Sequence, residues 1–260
     1  MNRRKQRQDL LDKVMPYLFT SVTLYESVLE FLQLGWARNF IKPLLAVTLV
    51  VYFHVKTKDV DDKFRHLLFY GFLATFVSEV VSLFSHIDGL RTLYLITCTV
   101  SYLLFTTAFT FNIMEGKIST GIPFIAAFAA PYLLIGAITY FVIKNNIDGF
   151  KLTVILYLVS LFGMGIQSAI RNFNTTAKSF TTTALGAAAI VLSESAVLVI
   201  QFKGLKWNII QAMAVFFKNL GRFGLLIGCL EHINYFLVQK RELMGQSLFG
   251  GKLKSRPKIN

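Results

Sequence analysis

Long apolar runs alternate with short charged connectors along the whole chain. Most runs are roughly 18 to 24 residues long, and a helix of about 20 residues crosses a hydrocarbon core of ~30 Å. The apolar residues fill entire blocks and do not form the single stripe that is typical of a helix on a soluble domain. The pattern predicts eight membrane spans, at about 14–34, 41–55, 66–85, 91–112, 119–143, 152–170, 180–202 and 221–238.

Three stretches depart from the regular pattern. The first span is interrupted by Glu26 and Glu30 and lacks a small-residue cleavage site after it, so we expect a retained helix and not a signal peptide. The second span is short and has to pack against neighbours or thin the bilayer. The stretch 205–219 either lengthens the eighth span or lies along the interface as an amphipathic segment.

Composition and charge agree with an all-α, polytopic transmembrane bundle. Only 16% of the 260 residues are charged, against about a quarter in a soluble domain. If the N-terminus is cytoplasmic, the cytoplasmic segments hold 18 of the 27 Lys and Arg residues, which predicts both termini inside. We expect one membrane domain over 1–260 in the cell membrane (the inner membrane in a bacterium), with basic tails at 1–13 and 239–260.

The net charge of +13 is explained by basic flanks that meet anionic lipid headgroups, so no nucleic-acid partner is expected. Cys98 and Cys229 both lie inside apolar runs, which suggests neither a disulfide framework nor a zinc site. No Gly-rich phosphate loop, metal-ligand cluster or nucleophile elbow is present, and we expect no cofactor or metal. The glycines at 221, 224 and 228 indicate close helix packing.

Two intramembrane acids, Glu79 and Glu194, are the candidate catalytic residues. Each follows a serine in an otherwise apolar run, and each is expected ~20 Å from the cytoplasmic edge. A carboxylate costs a few kcal/mol to insert, so it usually has a function or a partner. Two acids at one depth could share a cavity, where one would remain protonated while the other ionises, as a general acid and base require. The alternative is a structural hydrogen bond between helices.

Other polar groups could line the same space or serve the fold alone. Lys42 opens the second span at its outer end, where it could neutralise a carboxylate, meet a lipid phosphate or simply reach the interface. A lone histidine among apolar residues, such as His232, is often a core group. Glu26, Glu30 and Glu231 are expected to pair with basic residues or to reach water. The candidate substrate-binding residues are Lys42, Tyr102, Tyr157, Met164, Ser193 and His232.

Several of these residues fall in an ordered set of short motifs. They are Lys42-Pro43 at the start of an early span, Glu79 at the end of the next apolar block, Tyr157 and Met164 seven residues apart, and Gly186-Ala187 before Ser193-Glu194. In this order and spacing the set resembles the YhhN-type membrane family, the lysoplasmalogenases, over about residues 36 to 238. Glu79 and Glu194 stand where that family usually has Asp, and Tyr102 stands where it has His.

The resemblance implies hydrolysis of the vinyl-ether bond of a lysoplasmalogen to a fatty aldehyde and a glycerophospho-base. A neutral Glu would supply a proton to carbon, and its ionised partner would stabilise the resulting oxocarbenium ion and orient water, as carboxyl pairs do in glycosidases. The lipid substrate would enter sideways between helices, with its headgroup near Lys42. No metal is required.

Two functions of other classes remain open at this point. One is a lipid- or solute-handling transporter whose intramembrane acids carry protons. The serine that precedes both Glu79 and Glu194 is the only sign of an inverted repeat, which such transporters often have. The other is a non-catalytic lipid-binding protein. The sequence gives neither the substrate headgroup nor the oligomeric state.

Overall fold

A computed structural model of the chain describes residues 3–85, 87–115, 122–147, 149–171 and 175–248. Helices are the only regular structure in these ranges, which confirms the all-α prediction. The predicted connector around residues 116–117 and the end of the C-terminal tail at 249–260 lie outside the described residues. The helices are α1 Arg3–Phe31, α2 Gly35–Thr57, α3 Lys63–Ser82, α4 Asp88–Glu115, α5 Ile122–Ile143, α6 Lys151–Ile170, α7 Ala177–Lys203 and α8 Asn208–Leu248.

Seven helices in the described part of the chain, α2 to α8, are long and apolar enough to cross a membrane. This confirms a multi-pass helical membrane protein. α1 is not among the seven. It carries the basic N-terminal stretch and four acids, and it packs along α8, where its Phe19 ring stacks on Phe223 at 4.9 Å.

Local signals set several of the helix ends. The Asp62 carboxylate accepts a hydrogen bond from the Phe64 N–H at 3.1 Å and caps the start of α3. The Thr176 hydroxyl caps α7 through the Ser179 N–H at 3.2 Å. α7 ends at Gly204, whose φ of 64° is the left-handed conformation that glycine adopts without penalty.

The third to seventh predicted spans match their helices within a few residues, whereas the first, second and eighth do not. The first was predicted to begin at residue 14, but α1 already begins at Arg3. α2 begins at Gly35, six residues before the predicted start, so Lys42 lies two turns inside the helix. The predicted start of the eighth span at 221 is wrong, because α8 begins at Asn208 and continues without a break. Residues 208–219 of the ambiguous stretch therefore lengthen the last span.

α7 and α8 cross with their backbones in contact. A Cβ atom added to Gly186 would lie 2.6 Å from the Gly221 carbonyl oxygen and 2.6 Å from the Leu225 nitrogen. Only glycines allow two helices to approach this closely, which confirms the predicted packing role of the glycine series. The crossing brings the first half of α8, with its basic residues, against the middle of α7.

Candidate functional site

Glu79 and Glu194 converge inside the bundle. Glu79 lies in the last turn of α3 and Glu194 in the middle of α7, and their exposed fractions are 3% and 1%. A carboxylate oxygen of each residue lies within 4.0 Å of the same two cations, Lys218 and Arg222. The two acids therefore share one charged site, as their similar depth in the sequence predicted.

Lys218 and Arg222 stand four residues apart on α8, so both side chains project from one face of the helix. Arg222 Nη1 lies 2.6 Å from Glu79 Oε1, and Lys218 Nζ lies 3.3 Å from the same oxygen. The corresponding distances to Glu194 Oε1 are longer, 4.0 Å from Arg222 Nη2 and 3.9 Å from Lys218 Nζ. Glu79 is thus the tightly paired acid and Glu194 the loosely paired one.

Two tyrosines hold the Glu194 carboxylate. The Tyr102 hydroxyl donates to Oε1 at 3.1 Å, and the Tyr157 hydroxyl donates to Oε2 at 2.8 Å. Their rings meet edge to face, with centroids 5.7 Å apart, and both side chains are buried. The two phenols come from α4 and α6, so four helices fix the position of this one carboxylate.

The two cations change the electrostatics that the sequence led us to expect. Two carboxylates alone would repel each other, and this repulsion would keep one of them neutral. In the structure the charges of two acids are balanced by those of two bases. Repulsion between the acids therefore gives no reason for either carboxylate to hold a proton in this arrangement. Buried charges of opposite sign at these distances compensate one another for the loss of water.

Lys42 is a third cation near the site. It is half-buried on α2, within electrostatic range of Glu79, Glu26 and Lys218. Its place two turns inside α2 corrects the expectation that it opens the span at the outer mouth. In the described part of the chain it has no ion pair within 4 Å, so its charge acts on the site from a greater distance.

α1 adds two more acids beside this site. Glu26 Oε2 accepts a hydrogen bond from Asn219 Nδ2 at 2.6 Å. Glu30 Oε1 accepts from Gln211 Nε2 and from Arg38 Nη1, each at 2.6 Å. The expected pairing of Glu30 with a basic residue is confirmed, whereas Glu26 is paired with an amide.

These groups form one balanced set of eight charges, which we call the charge network. It runs from the ion pair between α1 and α2 to the tyrosines of α4 and α6. Its acids and bases are equal in number. The members are Glu26, Glu30, Glu79, Glu194, Arg38, Lys42, Lys218 and Arg222.

Three predicted substrate-binding residues do not contact the network. Met164 is fully buried among apolar side chains, and the Ser193 hydroxyl donates to the Ala189 carbonyl oxygen of its own helix at 2.6 Å. His232 is ten residues from Arg222 along α8, roughly 15 Å. Its ring nitrogens bond Asn112 Nδ2 at 2.8 Å and Thr175 Oγ1 at 3.2 Å.

His232 belongs to a second buried polar cluster, centred on Arg171. The Arg171 guanidinium donates to Asn112 Oδ1 at 2.9 Å and to Thr183 Oγ1 at 3.2 Å. It lies between the rings of Phe64 and Phe109, at 5.5 and 4.9 Å from their centroids. This cluster ties α3, α4, α6, α7 and α8 together away from the two acids. Glu231, the next residue to His232, forms an exposed pair with Lys178 at 3.2 Å, as expected.

Lys218 and Arg222 were not predicted as site residues, because in the charge distribution that gives cytoplasmic termini both fall among the basic residues of the outer side. Their signal was available: they are four residues apart within an apolar stretch that continues from Ile209 to Ile233. Cations at helical spacing inside such a run require acids on neighbouring helices. Within the described residues, no group of three His, Cys, Asp or Glu side chains could hold a metal ion.

Comparison with known proteins places the chain in a family. Neither the curated proteins nor the solved structures include a match to it. The sequence model of the YhhN family matches residues 37–226, well over half of the chain. The matched range contains both acids, both tyrosines and the two cations of α8. The chain therefore belongs to the YhhN family and is, at that level, a lysoplasmalogenase-like membrane protein.

Proposed function

We propose that this protein hydrolyses the vinyl-ether bond of a lysoplasmalogen-type lysophospholipid within the cell membrane. The observation that supports this most is the convergence of Glu79 and Glu194 at one buried site in a chain of the YhhN family. Acid-catalysed ether cleavage needs one carboxyl group to donate a proton and a second to stabilise the oxocarbenium ion.

The reaction consumes one water molecule and involves no change of oxidation state overall. A proton adds to the outer carbon of the double bond, and the carbon attached to oxygen becomes part of an oxocarbenium ion. Water adds to that carbon and loses a proton, giving a hemiacetal. The hemiacetal hydroxyl then loses its proton, the bond between this carbon and the glycerol oxygen breaks, and the glycerol oxygen takes up a proton, which gives the fatty aldehyde and the free alcohol. The site must therefore donate one proton and accept one in each cycle.

The geometry favours Glu194 as the acid and Glu79 as the anion. Glu194 lies 3.9 to 4.0 Å from the cations, farther than Glu79, and is the acid in this scheme. Glu79 lies 2.6 Å from Arg222 and remains ionised, ready to stabilise the oxocarbenium ion and to orient water.

Tyr102 and Tyr157 are positioning residues in this scheme. Each phenol fixes one oxygen of Glu194, and together they define the direction in which its proton can be delivered. Tyr102 stands where the family usually has histidine, so a neutral hydroxyl takes the place of an imidazole beside the acid.

Aldehyde release from lysoplasmalogen by the purified protein in liposomes tests the proposal. Glu79→Gln and Glu194→Gln should each lower the rate at least about a hundredfold, since general acid–base groups typically contribute that much. Glu231→Gln is the matched control, because Glu231 forms an exposed ion pair on α8 and should leave the rate unchanged. Unchanged rates in either of the first two variants would remove that residue from the mechanism.

A proton-coupled lipid or solute transporter is the second candidate function. The observation that favours it is the row of paired acids that extends from Glu30, beside the half-buried Arg38, to Glu194. Such a row could pass protons between partners as helices move. Proton-coupled flux in proteoliposomes without aldehyde release would replace the hydrolase proposal with this one.

A further inference from the structure

An apolar groove of about 330 Å³ runs between α1 and α8 on the outside of the bundle. Its one polar side chain, Ser27, already donates its hydroxyl to the Thr23 carbonyl oxygen at 2.9 Å. Several of the apolar side chains are about half exposed, so the groove is open to the surrounding lipid. Its principal lining residues are Leu24, Val28, Phe31, Ile209, Met213 and Phe216.

The size of the groove suits one aliphatic chain. Its volume of about 330 Å³ accommodates part of one lipid chain. The α1 residues that line it, Leu24 to Phe31, cover about 10 Å along the helix. The groove therefore takes one aliphatic chain, and the second chain of a two-chain lipid would remain outside it in the bilayer.

Tryptophans mark the headgroup level at one end of the groove. Glu30 near the end of α1 bonds both Arg38 at the start of α2 and Gln211 at the start of α8, so these helix ends lie together. The chain's two tryptophans, Trp36 and Trp207, flank the same helix starts and are 73% and 52% exposed. Exposed tryptophans at helix ends are typical of the membrane–water interface.

Basic side chains at this level complement a lipid phosphate. The Arg38 side chain is 25% exposed although it is paired with Glu30, and Lys206 is exposed just before α8. A phosphate at these cations would leave the attached chain directed along the apolar groove. The groove and its basic rim thus match the two parts of a lysophospholipid.

The groove does not include the two acids. Neither Glu79 nor Glu194 lines it, and the pairs Glu26–Asn219 and Glu30–Gln211, each with a contact of 2.6 Å, join the same two helices through residues that do not line it. A lipid chain in the groove is therefore outside the reaction centre.

We propose that this groove is the docking site for the single aliphatic chain of a lysophospholipid before the lipid passes between α1 and α8. The later fate of the lipid rests on the proposed hydrolase function, whereas binding in the groove does not. The substrate would then approach Glu79 and Glu194 from the lipid side of α1.

Filling the groove tests the docking step in the kinetics. Met213→Trp should raise KM for a long-chain lysoplasmalogen about tenfold, which corresponds to lost contact with about two methylene groups, and should leave kcat unchanged. Phe217→Trp is the matched control, because Phe217 is 45% exposed on the same helix but does not line the groove. Equal KM values in the two variants, or a change in kcat alone for Met213→Trp, would overturn the proposal.

Photolabelling tests binding without catalysis. A lysophospholipid with a diazirine in its chain is added to the Glu79→Gln protein in phosphatidylcholine vesicles, and the labelled peptides are identified by mass spectrometry. We expect label in 24–31 and 209–216 despite the large excess of two-chain lipid in the vesicle, and we expect added unlabelled lysophospholipid to displace it. Label confined to other helices, or label that added lysophospholipid does not displace, contradicts the proposal. Label in the groove without aldehyde release by the native chain would refute the hydrolase and leave the docking site standing.

Discussion

Arg222→Met is the substitution that should disturb the charge network most. Arg222 is 7% exposed and lies 2.6 Å from the Glu79 carboxylate. Methionine keeps much of the side-chain volume and removes the charge. Glu79 then retains only Lys218, at 3.3 Å, and Glu194 loses one of its two nearby cations.

The expected loss is about 3–5 kcal/mol in the free energy of unfolding, which is the range for removing one partner of a buried ion pair. Most of this cost comes from the carboxylate that is left buried without its partner. Removing both partners restores the balance, since Lys218 and Glu194 remain with opposite charges. The double variant Glu79→Gln/Arg222→Met should therefore lose less than the sum of the single variants, with a coupling of about 2 kcal/mol or more.

Unfolding of the four proteins of this double-mutant cycle in mixed micelles, followed by circular dichroism, measures the coupling. The exposed pair Lys178–Glu231, at a similar distance of 3.2 Å, gives the matched control cycle and should couple by less than about 1 kcal/mol. Additive effects at Glu79 and Arg222, or equal couplings in the two cycles, would show that the buried charges do not depend on one another.

Three other predictions concern the site, the helix crossing and the second cluster. Tyr157→Phe removes the 2.8 Å hydrogen bond to Glu194 and should lower kcat for aldehyde release about tenfold, with the protein still folded by circular dichroism. Gly186→Ala should cost about 2 kcal/mol or more of stability, whereas Gly89→Ala, which meets nothing within 4 Å, should not lower the melting temperature. His232→Ala should lower the melting temperature but leave kcat unchanged. A loss of kcat with normal stability would instead show that His232 acts in the active site.

The fold was predictable from the sequence wherever apolar length was the only requirement. α3 to α7 follow the predicted spans because each is a nearly uninterrupted apolar run between charged connectors. The start of α8 was not predictable by the same rule. Lys218 lowers the apolar character of 205–219 when that stretch is considered alone, and the cost of its charge is offset by acids on other helices.

The candidate site was predictable in part for the same reason. Equal depth in two parallel spans was enough to indicate that Glu79 and Glu194 could meet. The depth of a residue along a helix does not say in which direction its side chain points around the helix axis. His232 and Met164 were therefore predicted for the site but lie outside it. The hydrogen bonds from Tyr102 and Tyr157 to a single carboxylate depend on how three helices rotate against one another, which no single span encodes.

The order of the charges along the chain has a consequence for biogenesis. The four acids of the network, Glu26 to Glu194, are all synthesised before the two α8 cations, Lys218 and Arg222. Placing one Lys or Arg at the centre of a membrane helix costs about 2.5–3.5 kcal/mol of insertion free energy. Transfer of α8 with both cations from the translocon into lipid is therefore unfavourable. The earlier helices provide its counter-ions. The final helix can thus insert against the earlier helices and not into lipid alone. Insertion of α8 therefore depends on the correct assembly of the helices that precede it.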